Sequence, residues 1–266
     1  MNLEREFEEP ALIPYITAGD PDIESTKVYV EALVDGGADI IELGLPFSEP
    51  IADGPTIQEA IVRSLEGGMT PPRYFDLVQS IDVDIPLVCM TYYNLVSQFD
   101  ERSIRAFVNE ASSAGIEGLI IPDLPVEEAD LLNEACAECG VDLVFIIAPT
   151  TPVERMEKII QSASGFLYVQ ARLGTTGVQA NVDEQTHESL ARIPETDLPR
   201  AVGFGVSRGE HAREIIAAGA DGVVAGSVFV DIIADGVDVP TRLEKKAAEL
   251  KGGALDARRE PETERQ

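Results

Sequence analysis

Eight short apolar runs alternating with amphipathic stretches restrict the fold of this chain more than any other feature. The runs fall at 11–17, 39–43, 85–90, 118–122, 141–148, 166–170, 201–204 and 222–225. Helical patterns lie among them at 24–35, 55–66, 71–80, 101–113, 126–139, 152–163, 209–218, 228–234 and 240–250. Such alternation predicts βαβ units and a parallel sheet. The segments GGAD, AGIEG, CGVD and AGADG each stand just before a strand, where glycine stops a helix. Eight strands with their helices predict an α/β fold, a single-domain (β/α)8 TIM barrel over 1–251. With 266 residues, 44% of them hydrophobic, one barrel-sized core can be filled. The polar, unpatterned 252–266 is expected to be a disordered tail.

In such a barrel the chemistry lies at the C-terminal ends of the strands, on the loops that follow them. The second of these loops is the most informative. In IIELGLPFSEPIADGPTIQ, from Ile40 to Gln58, Glu42 interrupts an apolar strand, where an unpaired carboxylate costs several kcal/mol or shifts its pKa. Gly44, Pro46, Pro50, Gly54 and Pro55 then stiffen a loop that carries Asp53. Two plain readings compete with a catalytic one. Asp53 can cap the helix that starts near Pro55, and Glu42 can be half of a buried ion pair. Neither explains why both acids share one loop at the end of one strand.

Two further loops resemble a phosphate cradle. Gly203-Phe204-Gly205 follows the seventh strand and Gly226-Ser227 the eighth, with a helix opening near Val228 that aims its positive end at an anion. Gly174, Thr175, Thr176 and Gly177 can add a further N–H group and a lid. The competing reading is that these are tight barrel turns.

The remaining composition narrows the chemistry. Forty-eight acidic against 20 basic residues give a formal charge of −28, which repels nucleic acid and anionic lipid. The acids are spread through every helical pattern, as on a solvated surface adapted to high salt. The N-terminus has no leader pattern and no apolar run is long enough for a membrane span, so a cytoplasmic location is expected. Cys136 and Cys139 form a C-x-x-C without a second pair, which reads as small helix residues in preference to a zinc or redox site. A Schiff-base aldolase needs a strand-end lysine, but all five lysines fall on helical patterns. A metal-dependent aldolase needs converging ligands, but His187 is placed on a loop and His211 on an outer helix. No metal and no cofactor is therefore expected. General acid–base catalysis by Glu42 remains, with Asp53 stabilising developing positive charge. The residues by themselves leave two other readings open: another phosphate-binding barrel enzyme acting on a sugar phosphate, or a barrel that only activates a partner.

Six segments, PYITAGDP (14–21), IELGLPFSEPIADGPTIQ (41–58), IIPDLPVEEA (120–129), LGTTG (173–177), GFGVS (203–207) and GADGVVAGS (219–227), together resemble the tryptophan synthase α subunit family. They stand in that family's order across most of the chain. The resemblance implies a barrel lyase that cleaves indole-3-glycerol phosphate to indole and glyceraldehyde 3-phosphate. It also implies an α2β2 heterotetramer in which indole passes to a β subunit that carries pyridoxal phosphate. By this resemblance Glu42 is the catalytic acid/base and Asp53 stabilises positive charge on the indole nitrogen. Tyr168 stands near the catalytic glutamate, and Gly177, Gly205, Gly226 and Ser227 bind phosphate. Thr176 belongs to the lid, while Tyr15, Thr17, Tyr92 and Phe204 line the indole pocket. Segments around Pro46, Glu49, Asn94 and Pro125 face the β subunit. The chain departs from the family pattern at Tyr15, Glu49 and Ala171.

Overall fold

The strands β1 (Ala11–Thr17), β2 (Ile41–Gly44), β3 (Leu87–Met90), β4 (Ile116–Ile120), β5 (Asp142–Ile147), β6 (Leu167–Gln170), β7 (Arg200–Gly203) and β8 (Gly222–Ala225) form a closed parallel barrel. The computed structural model describes residues 3–170, 182–203 and 205–259. Each strand pairs with its sequence neighbours, and β8 closes on β1. The eight expected strands are thus all present, with ends displaced by no more than a few residues.

Around the barrel run α1 (Ile23–Asp35), α2 (Pro55–Glu66), α3 (Pro71–Gln79), α4 (Tyr93–Ser97), α5 (Ile104–Ala114) and α6 (Asp130–Cys139). They are followed by α7 (Val153–Ser162), α8 (Val182–Ala191), α9 (Gly209–Ala217), α10 (Ser227–Asp235) and α11 (Val239–Arg259). Their ends follow local chemistry. Asp22 caps α1 by accepting from the Ser25 N–H at 2.8 Å, and Ser103 caps α5 through the Ala106 N–H at 3.1 Å. Gly115 and Gly140 end α5 and α6 in the left-handed region, at φ 105° and 69°.

Two apolar layers hold the barrel. Outward-facing strand residues such as Leu12, Leu43, Cys89, Leu143 and Val202 pack under the helices, with Phe107 and Phe229 fully buried among them. Inside, Ile13, Ile40, Val88, Ile120 and Val144 form the floor. The floor is sealed by a short 3-10 turn, Leu3–Phe7, which sequence patterning had left unassigned. Leu3 and Phe7 are both buried, and the Phe7 ring lies 5.4 Å from that of Phe166.

Several sequence expectations are corrected. The segment after 251 is not a tail at its start, because α11 continues to Arg259 with Leu250 and Ala254 fully buried. Gly253 lies where α11 crosses α9, and a Cβ on it would collide with the Gly209 backbone. Lys251 fastens the helix by donating to Asp39 at 2.7 Å and to the Pro10 carbonyl at 2.9 Å. Only 260–266 lies outside the described residues at this end.

His187 is on α8, not on a loop, and is exposed, with Thr186 and Leu190 as the buried face. The polar sequence of α8 leaves too faint an apolar stripe to detect. Segment 126–139 divides into a 3-10 turn, Val126–Glu128, and α6. Among the described residues, no helix is long and apolar enough to cross a membrane.

Candidate active site

Parallel pairing sets Tyr15 of β1 beside Glu42 of β2, and Thr17 beside Gly44. Ile41 and Leu43 belong to the apolar layer beneath the helices, so the alternation of the strand turns Glu42 into the barrel. Glu42 is 1% exposed, and its Oε1 has no hydrogen-bond partner among the described residues. Among the described residues it is not half of a structural ion pair. Burial pushes its carboxyl up to about 8, and the negative charge of Asp53 adds to the effect. At neutral pH it is therefore a protonated acid inside a barrel.

Asp53 is not a helix cap either. Gly54 occupies that position, Pro55 opens α2, and no side chain bonds the first turn. The Asp53 carboxylate instead accepts a 2.6 Å hydrogen bond from the Tyr92 hydroxyl, which itself accepts from the Ala52 N–H at 3.0 Å. Burial raises the Asp53 pKa, and the bond from Tyr92 partly restrains the shift. Tyr92 is buried, and its ring lies 5.3 Å from that of Phe47. One hydroxyl thus fixes both the acid and the loop that carries it.

Tyr92→Phe is expected to lower turnover by about tenfold, because the loss of one neutral donor to a charged acceptor loosens Asp53. Losing a donor to the ionised form also raises the Asp53 pKa, so the acid limb of the pH–rate profile should move to higher pH. An unchanged profile would show that Tyr92 does not hold the reactive carboxylate.

Two tyrosines need glycine neighbours. The Tyr15 ring covers Gly44, where an added Cβ would collide with the Tyr15 hydroxyl. The Tyr168 ring covers Gly203, where a Cβ would lie 2.6 Å from its hydroxyl. Both phenols are kept neutral, their pKa raised well above the ordinary value by burial and also by the charges of Asp53 and Glu42. Gly44→Ala should cost about 1–3 kcal/mol, since Tyr15 is packed and cannot move without strain. Chemical denaturation in molar salt measures it, and an unchanged midpoint would mean that the ring shifts freely.

These residues open onto a cavity of about 770 Å³ at the C-terminal mouth of the barrel. Of the expected site residues, Tyr15, Glu42, Asp53, Tyr168, Gly205, Gly226 and Ser227 line it together. Thr17 and Tyr92, expected to line the pocket, are bonded to residues that line it. Thr17 bonds the Tyr15 hydroxyl at 3.2 Å, and Tyr92 holds Asp53. Thr176, Gly177 and Phe204 lie outside the described residues.

The cavity also has walls that residue patterns did not identify. Met90, Ile121, Leu124, Phe145 and Ile146 supply an apolar face, and Gln170 a polar one. The loops PDLPVEE and APTTP marked the region, but a strand-end apolar residue looks like any core residue until the barrel is closed.

At the cradle, α10 opens at Ser227, one residue earlier than expected, with Gly226 as its cap and no side chain bonded to its first turn. Gly205 has φ 77°, a conformation that favours glycine. A Cβ on Gly226 would lie 3.5 Å from Tyr15 and 3.6 Å from Ile57, so the helix terminus borders the wall that carries Tyr15. Its first-turn N–H groups and positive dipole end suit a phosphate.

The family model for the tryptophan synthase alpha chain matches residues 1–258. The chain belongs to the tryptophan synthase alpha chain family. Alpha chains from Natronomonas pharaonis and Haloferax volcanii are 56% and 57% identical to it over 276 residues, covering 100% of either sequence and of this one. Among solved structures, that of the tryptophan synthase α2β2 complex from Pyrococcus furiosus is 41% identical, with a TM-score of 0.84 over 91% of this chain and 98% of that one. As the alpha-chain family match extends to 258, it includes most of the terminal helix α11.

Proposed function

We infer that this alpha chain is a carbon–carbon lyase that cleaves indole-3-glycerol phosphate to indole and glyceraldehyde 3-phosphate. The observation that carries the reading is Glu42, a buried acid whose Oε1 has no partner among the described residues, pushed up to about 8 and coupled to Asp53 in one cavity with an anion cradle. Family membership supports it.

Each step has its group. Neutral Glu42 donates its proton to C3 of the indole ring, and the ring nitrogen becomes positively charged. The ionised Asp53 stabilises that charge. The C3 side-chain bond then breaks, its electron pair restoring the aromatic ring, while the adjacent glycerol hydroxyl loses its proton to the Glu42 carboxylate and becomes the aldehyde. The iminium formed on protonation is the electron sink, so this route requires neither lysine nor metal. The apolar face of Met90, Phe145 and Ile146 suits the indole, and Gly205, Gly226 and Ser227 suit the phosphate. In this reading Tyr168 packs by the catalytic acid, Gly177 joins the phosphate-binding residues, Thr176 belongs to the lid, and Phe204 lines the indole pocket.

The partner is a tryptophan synthase β subunit in an α2β2 heterotetramer, which receives the indole. Glu49 and Asn94 are exposed and Pro125 is half-buried, and beside Glu49 the 81% exposed Ile51 offers an apolar contact. The enzyme works in the cytoplasm of a cell with high internal salt. Self-repulsion of the −28 charge should accordingly make its melting temperature rise with KCl between low and molar concentration. A flat response would remove the salt-adaptation reading.

The deciding experiment is indole release from indole-3-glycerol phosphate by the purified chain in molar salt, alone and with a β subunit. Release that disappears in Glu42→Gln supports the assignment. No release under either condition would overturn it.

A further inference from the structure

Gln170 is the last residue of β6 and lines the cavity, and the mechanism above gives it no task. Strand alternation puts Gln170 and Tyr168 on the barrel-facing side, while Leu167 and Val169 are buried beneath the helices. Tyr168 lies in the field of both Glu42 and Asp53. Gln170 stands two residues, about 6.6 Å of strand, closer to the mouth. It pairs with Gly203, from which the chain leads to the cradle residue Gly205. Its height is thus between the carboxylates and the cradle.

The surroundings leave this side chain unused. Its carboxamide makes no hydrogen bond with another described residue. On one side its neighbour is Gly203, and on the other Ala148 follows Ile147, the partner of Val169. Neither neighbour has a polar side chain of its own, and the Tyr168 ring lies over Gly203. A carboxamide is both donor and acceptor, as an alcohol is, and a hydroxyl at this height can satisfy both functions.

We propose that Gln170 is a specificity-determining residue that hydrogen-bonds the glycerol hydroxyls of the substrate, holding the three-carbon chain between the carboxylates and the phosphate cradle. This rests on the substrate reading above. It makes the enzyme read the polyol itself as well as the two ends of the molecule. A site that satisfies its polar groups through a substrate hydroxyl rejects analogues that lack it.

The test compares binding in the Glu42→Gln protein, where turnover does not interfere, with and without Gln170→Leu. Two probes are titrated in molar salt: indole-3-glycerol phosphate, and its analogue with a plain propyl chain between indole and phosphate. Gln170→Leu should weaken the glycerol compound by about tenfold and leave the propyl compound unchanged, the latter also showing that the site is still folded. Equal weakening of both probes would place Gln170 on the phosphate or in the shape of the site, and would overturn the proposal. So would no change in either. If the Glu42→Gln protein with Gln170 intact binds the propyl compound and not the glycerol compound, the substrate reading fails and this proposal with it.

Discussion

Glu42→Gln is expected to lower indole release by roughly 10²–10⁴-fold while making the protein more stable. The loss follows from removing the group that both gives and takes the proton. The gain follows from linkage. Burial holds the carboxyl at about 8 in the folded protein, against an ordinary value of 4.5. Between those limits the folded chain keeps a proton that the unfolded chain has released, so wild-type stability falls as pH rises through this window. Glutamine does not ionise and escapes that loss. The variant's advantage should therefore be small near pH 4.5, widen towards pH 8, and reach about a few kcal/mol. Denaturant titrations in molar salt at both ends of the window measure it. For the same reason wild-type turnover should fall above about pH 8, as the acid loses its proton. Wild-type-like turnover in the variant would end the proposed mechanism, and a constant stability difference across pH would show that Glu42 is not held neutral.

Asp53→Asn is expected to lower turnover by roughly 10²–10³-fold with little change in fold. Asparagine keeps an oxygen that can accept the Tyr92 bond, so the loop retains its anchor. What disappears is the negative charge that faces the developing iminium. The same charge contributes to the raised pKa of Glu42, so removing it should move the basic limb of the pH–rate profile to lower pH. This second readout separates an electrostatic role from a positional one. A variant that is slow but keeps the wild-type basic limb would show that the two carboxylates are not coupled.

Much of this was legible in local patterns. Eight apolar runs, proline-opened α2 and α3, and the glycine stops at Gly115 and Gly140 are short-range signals, each decided within a few residues of chain. Glu42 was conspicuous because one acid in an apolar strand is costly wherever that strand goes. What local patterns could not assign were contacts between distant segments. Tyr92 was read as pocket wall, although it reaches across 39 positions to hold Asp53. Gln170 was passed over because a strand-end glutamine has no meaning until its neighbours turn out to be Gly203 and Ala148. The need for glycine at 253 has the same kind of origin, since its close neighbour is Gly209 on another helix.

The sequence by itself determined the order and number of elements, the loop that bears the chemistry and its two acids, because strand and helix periods and turn residues act locally. Tertiary structure decided the rest. Closing the barrel buried Glu42 beside the charge of Asp53 and so made it an acid at neutral pH. It also brought the β7 and β8 loops to the cavity that holds both carboxylates, and extended α11 over α9. Burial, desolvation and close backbone approach are properties of surroundings, and for this chain those surroundings come from residues far apart in the sequence.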